Sequence, residues 1–244
     1  MALLNKISIL ISLLILAGCA STESNINSGL WHYEAGLYGE AIPRLVRPIT
    51  SFEKRFPHDE RVSRSYLALG VMAENSKAYD KAEEYLIKSV ESAKTSRPLQ
   101  ENTLRNAESM LGNFYLNRKK YSEALTHLNT AESISSKFKE KSILNSIDLD
   151  NISTALQGAG KLKESIEFSE RALKVAEKTP EDNSYNLTKG IILFNLAKSN
   201  EENGNNTKAK ELYDKAIELL TISSKENTSE QWRLDAALKA ARKL

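Results

Sequence analysis

A small residue just past a turn returns at Ala41, Ala82, Ala124, Ser165 and Ala209, at intervals of 41, 42, 41 and 44 residues. Nothing else in the chain limits its fold so tightly. A unit that repeats this way cannot shield its own apolar side. Stacking one unit on the next can. Neighbouring positions keep the same register. Three residues before the small one stand Tyr38, Tyr79, Tyr121, Leu162 and Asn206. Four after it stand Leu45, Leu86, Leu128, Ser169 and Tyr213, and seven after it Pro48, Ser89, Ala131, Ala172 and Ala216. Twelve before it stand Gly29, Gly70, Gly112, Ser153 and Ala197. Small and large residues alternating at helical spacing on two successive segments predict a helical hairpin whose arms approach closely at the small positions. With only 5 Pro and 10 Gly in 244 residues, helices joined by short turns are favoured over a β architecture.

This arrangement (apolar then small on a first helix, a turn, an aromatic, then small, large, small on a second) resembles the tetratricopeptide repeat. Leu111, Gly112, Tyr115, Tyr121, Ala124, Leu128 and Ala131 make the third copy the cleanest. The period of about 42 exceeds the family's usual 34 and lengthens each helix by roughly one turn, about 5.4 Å. It is similar to the repeats of kinesin light chain. Asp150–Gly160 and Phe194–Gly204 match the Asn-Leu-Ala…Gly signature of those repeats best. The resemblance implies an all-α fold, a right-handed α-solenoid of five TPR-like helical hairpins over residues 29–224, closed by a C-terminal capping helix over 228–244.

Helices are expected at 24–36, 38–55, 61–75, 78–95, 100–118, 121–137, 140–158, 161–178, 183–203, 206–223 and 228–243. Pro43 and Pro48 should kink or break the second of these. The last should pack Trp232, Ala236 and Leu238 or Ala240 on the final hairpin.

The N-terminus carries a different signal. Lys6 precedes an apolar run from Ile7 to Leu16, then Ala17-Gly18-Cys19. About ten apolar residues are too few for the roughly 20 of a spanning helix, and the pattern reads as a signal peptide over 1–18. Small residues directly before the chain's one cysteine resemble the lipobox of bacterial lipoproteins. The resemblance implies cleavage before Cys19, its lipidation, and a mature protein held by acyl chains, such as palmitate. Each buried methylene adds about 0.8 kcal/mol, so two or three chains hold firmly. Residue 20 is Ala rather than an Asp that would retain the protein in the inner membrane, so the expected destination is the outer membrane, with the body in the periplasm. Cys19 and the polar stretch to Ser28 read as a tether, reaching about 30 Å if extended.

Charge is nearly balanced, 34 Lys+Arg against 32 Asp+Glu, which gives nucleic acid no broad basic surface to bind. His32, His58 and His127 lie in different repeats without ligand spacing. There is no phosphate loop, cysteine pair or nucleophile elbow. No catalytic residue, metal, cofactor or small-molecule substrate is expected, and the chain reads as a scaffold rather than an enzyme.

In the family the first helices of the hairpins line a concave groove. Its positions, carried over residue by residue, give Arg64, Leu67, Val71 and Glu74, then Asn106, Ser109, Asn113 and Leu116. They continue as Ile147, Asp150, Asn151, Thr154 and Gln157, then Ile191, Phe194, Asn195, Lys198 and Glu201. Asn113, Asn151 and Asn195 match asparagines that hold a peptide backbone in relatives. One amide can donate to a carbonyl and accept from an N–H at once. Ser109, Ile191 and Asn195 stand where chaperone-binding relatives clamp a C-terminal carboxylate with cations, so an acidic tail is not the expected ligand. The resulting expectation is an outer-membrane adaptor binding protein or peptide partners in cell-envelope assembly: pilus or secretion, outer-membrane protein or peptidoglycan machinery. The alternative is a self-associating structural lipoprotein with no peptide ligand.

Overall fold

The computed structural model describes residues 21–138, 143–178, 185–226 and 231–244, and every regular element among them is helical. Their order is α1 (residues 21–34), α2 (Tyr38–Val46), α3 (Ile49–Arg55), α4 (Glu60–Asn75), α5 (Tyr79–Thr95) and α6 (Glu101–Asn117), followed by α7 (Tyr121–Ser135), α8 (Ile143–Gly158), α9 (Leu162–Ala176), α10 (Tyr185–Glu202), α11 (Asn206–Glu226) and α12 (Gln231–Ala241). They form two compact units, one ending at Leu111 and one spanning Gly112–Leu244. Cys19 and the expected signal peptide lie outside the described residues, as does the start of the helix expected at 228–243.

The five hairpin turns share one construction. A residue in the left-handed region stands at Gly36, Lys77, Lys119, Gly160 and Gly204, each five positions before the repeating small residue. The next amide donates back to the carbonyl five residues earlier: Leu37 to His32, Ala78 to Ala73, Lys120 to Tyr115, Lys161 to Leu156 and Asn205 to Asn200, all at 2.8–3.0 Å. This satisfies a carbonyl that the helix end would leave orphaned. Glycine adopts that conformation without cost, whereas Lys77 and Lys119 hold it against a penalty of about 1 kcal/mol. The second helix then begins at the aligned Tyr38, Tyr79, Tyr121, Leu162 or Asn206.

Within each hairpin the arms meet where the sequence places small against large. A β-carbon added to Gly70 would lie 2.7 Å from Leu86 Cγ, and one on Gly112 would lie 2.6 Å from Leu128 Cγ and 3.1 Å from the Leu128 backbone nitrogen. Gly29 meets Leu45 equally closely. In the fourth repeat the pair is Ser153 and Ser169, whose hydroxyls lie 2.6 Å apart, and Ser153 also donates to the Ser165 carbonyl at 2.8 Å. A buried hydrogen bond there replaces the leucine that fills the other copies.

The first unit gathers Ile26, Leu30, Leu45, Phe52, Tyr66 and Leu69 into one core. One expectation is met in it and one is not. The predicted helix 38–55 is two helices, because Pro48, which supplies no amide hydrogen, ends α2 and precedes α3. Pro43 stays inside α2, where the carbonyl it deprives belongs to the exposed Gly39 and can bond water. The stretch read as an extended tether is already helical from residue 21, drawn in by Ile26 and Leu30, which are 0% and 5% exposed.

The second unit stacks α7 on α8, α8 on α9, α9 on α10 and α10 on α11, with α12 against α11. The terminal helix packs through Leu238 and Ala240, as expected, while Trp232 does not join them. Leu234 and Ala237 are buried beside Leu220, and Leu238, Ala240, Ala241 and Leu244 pack on neighbouring cores. These positions form a continuous aliphatic stripe at i, i+3, i+4, i+7 spacing. Trp232 lies off the stripe and is 59% exposed.

The close approaches make glycine substitutions diagnostic. Gly112→Ala should cost about 1–3 kcal/mol, since the crowded leucine and backbone must move apart. Gly39→Ala meets nothing within 4 Å and should add about 0.5–1 kcal/mol through helix propensity. Thermal unfolding of both variants tests this, and a Gly112→Ala melt at or above wild type would refute the packing account.

Candidate functional site: a cavity lined by five helices

The second unit contains a cavity of about 510 Å³, within the range of roughly 300–1,000 Å³ usual for ligand sites. Helix α8 supplies Ile147, Asp150, Asn151 and Thr154. Helix α10 supplies Leu187, Thr188, Ile191, Ile192, Phe194 and Asn195. Helix α12 adds Trp232, Arg233 and Ala236, while Leu116 of α6 and Leu220 of α11 complete the wall. The spacing of the α8 and α10 residues explains the convergence: positions three and four apart share one helix face.

Of the expected groove positions, Leu116, Ile147, Asp150, Asn151, Thr154, Ile191, Phe194 and Asn195 meet around this one cavity. Lys198 stands apart from it, 3.9 Å from Glu202 on its own helix. Asn113, half-buried on α6, is not among the lining residues, and its Oδ1 is buried without a hydrogen-bond partner. Arg64, Leu67 and Val71 belong to α4 of the first unit, where Arg64 donates to Glu34 at 2.6 Å and Leu67 and Val71 are half-buried. The histidines hold local roles: His58 Nδ1 lies 2.8 Å from the Thr95 carbonyl, and His127 stacks on Tyr115.

The polar groups of the cavity are unevenly served. Asn195 Nδ2 donates to Asp150 Oδ2 at 2.8 Å and lies 3.4 Å from Thr154 Oγ1, so one asparagine expected to face a ligand is bonded to the neighbouring helix. Asp150 Oδ1 and Asn151 Nδ2, by contrast, are buried and have no partner in the protein. Asp150 is 6% exposed. Burial pushes its carboxyl up to about 7, against the lesser opposing effects of the Asn195 hydrogen bond and the Arg233 charge. Sequence reasoning placed Asp150 on the groove face without recognising this state. The available signal was a carboxylate set between Ile147 and Thr154 on an otherwise uncharged face. The contribution of α12 was missed because Trp232 and Ala236 were expected on the final hairpin, whereas they line the cavity. Among the described residues no group of three or more His, Cys, Asp or Glu side chains could hold a metal ion.

The Asp150 carboxyl makes stability depend on pH with a definite sign. Its folded pKa lies above the value for the unfolded chain, so between about 4 and 7 the folded state binds the extra proton. Stability should rise as the pH falls from 8 to 5 and decline again as the pH climbs through 7. Relative to Asp150→Asn, which lacks the titration, the gain should be on the order of 2 kcal/mol. Parallel denaturation curves at the two pH values check this, and identical pH slopes for both proteins would count against it.

Comparison with known proteins adds the family. Two family models described as tetratricopeptide repeat match the chain, one over residues 63–96 and the other over 103–178 and 144–222. No curated protein matches it significantly. Among solved structures, it is similar to nearly identical TPR-like repeats assigned to a kinesin light chain of Podosopora anserina, with a TM-score of 0.63 and 17% identity over 84% of this chain and 96% of that one. MamA of strain AMB-1 gives a TM-score of 0.59 and 21% identity over 82% and 99%. The apo form of RapI gives 0.69 and 13% identity over 85% and 73%. These likenesses are of fold. The two family models, which together span residues 63–96 and 103–222, show that the chain belongs to the tetratricopeptide-repeat family.

Proposed function

We propose that this protein is a lipid-anchored adaptor of the bacterial outer membrane, held through Cys19, which binds a segment of a partner protein in the cavity of α8, α10 and α12. The observation that carries the binding half is the cavity's makeup. Its walls are largely apolar, yet Asp150 Oδ1 and Asn151 Nδ2 are left without protein partners. An unpaired buried polar atom costs about 1–3 kcal/mol, and a ligand that pairs with it recovers that cost. A peptide backbone offers both a donor and an acceptor, and apolar side chains suit the isoleucine, leucine and phenylalanine walls.

The anchoring half rests on the sequence. Ala17-Gly18-Cys19 follows a short apolar run, and residue 20 is not Asp. Helix α1 is already formed at residue 21, so a lipid on Cys19 would hold the first hairpin close to the bilayer. A protein fixed there with a binding cavity suits envelope assembly, where machinery for pili, secretion, outer-membrane proteins or peptidoglycan must be held at the membrane.

Two outcomes are expected. Cys19→Ser should abolish incorporation of radiolabelled palmitate and move the protein from the membrane fraction to the soluble one. A variant that stays labelled and membrane-bound would end the lipoprotein reading. In living cells, photo-crosslinking from a residue introduced at Thr154 should capture a discrete partner. Asn151→Ala should weaken that capture by about tenfold, as expected for loss of one buried hydrogen bond. Equal capture by wild type and Asn151→Ala would remove the cavity as the binding site.

A further inference from the structure

We infer that the cavity recognises a basic side chain, a lysine or arginine carried between apolar residues of the bound peptide, and that Asp150 is the residue that selects it. This rests on the peptide-binding reading above and narrows it to a ligand class.

The geometry is specific. Asp150 lines the cavity and is more than nine-tenths buried. One carboxylate oxygen is held by Asn195 at 2.8 Å, which fixes the side chain, while the other has no partner in the protein. A carboxylate oriented by one bond and open at the other oxygen is an acceptor, and its strongest complement is a charged N–H donor. Removed from water, that pairing gains more than it would on the surface. Around it, Ile147, Ile191 and Phe194 offer apolar contact to the methylene stem of a lysine or arginine. Asn151 Nδ2, next in sequence and also unpaired, is placed to donate to a backbone carbonyl of the same peptide.

Among the described residues the cavity's one cation is Arg233 of α12, whose charge acts on Asp150. It makes an acidic ligand the rival occupant. The rival is weaker because Arg233 is only partly buried and already engaged in the protein, whereas the open Asp150 oxygen is not. With Arg233 present the entering cation meets some repulsion, and removing Arg233 should tighten basic ligands.

Random heptapeptides displayed on phage, panned at about pH 8 against the full chain in lipid nanodiscs, test the inference. The expected selection is enriched in Lys or Arg flanked by apolar residues. The best synthetic peptide should lose at least about tenfold in affinity when its basic residue becomes norleucine. Asp150→Asn should bind both peptides alike, and Arg233→Gln should bind the basic one more tightly than wild type does. Trp232, at the cavity, provides a fluorescence readout, and circular dichroism verifies that each variant is folded. Selection of neutral apolar peptides, bound equally by wild type and Asp150→Asn, would overturn the inference and leave the peptide-binding reading standing. Acidic peptides whose binding depends on Arg233 would overturn it as well. Failure to select any peptide would remove both.

Discussion

Everything in this protein depends on how closely two helices of a hairpin can approach. The approach is set at one pair of positions per repeat, a small residue on the first arm and its partner on the second. Gly29 with Leu45, Gly70 with Leu86 and Gly112 with Leu128 solve it by leaving a hole for a leucine. Ser153 and Ser169 solve it with a hydrogen bond. Ala197 and Tyr213, both buried in one core, solve it with a larger knob and a slightly larger floor. Three chemistries occupy one geometric slot, and the slot rather than the residue type is what recurs. The buried methylenes around each slot contribute about 0.8 kcal/mol apiece.

That slot is also why so much of the fold could be read in advance. Ala41, Ala82, Ala124, Ser165 and Ala209 are visible as a period, and the period dictates both turn and helix start. The left-handed residue five positions earlier was not deduced, although Gly36, Gly160 and Gly204 mark it. Lys77 and Lys119 hide it, because a lysine at positive φ has no signature in sequence. The break at Pro48 was legible because proline lacks an amide hydrogen. The early start of α1 was not, since the polar run Ser-Thr-Glu-Ser-Asn looks like a linker until Ile26 and Leu30 are seen buried. Local composition argued for a tether, and tertiary packing overrode it.

The candidate site was half legible for a similar reason. Family positions on α8 and α10 converge because helix geometry alone brings residues three and four apart onto one face. The wall from α12 could not be found this way. Its phase depends on which of two stripes buries more aliphatic surface, and the stripe of Leu234, Ala237, Leu238 and Ala241 prevailed over the one led by Trp232. Asn195 shows the limit of transferring a residue's role. The identity matched, yet in this chain its amide is bonded to Asp150 on the adjacent helix. Asp150 is a group whose importance comes from burial, which no single residue identity reveals.

One consequence follows from the double duty of α12. Its aliphatic side closes the last hairpin, while Trp232, Arg233 and Ala236 on the other side form a wall of the cavity. Cohesion of the molecule's end and occupancy of the cavity are therefore thermodynamically linked. Whatever fills the cavity also fastens the terminal helix, and affinity falls in proportion to the fraction of molecules in which that helix has come away.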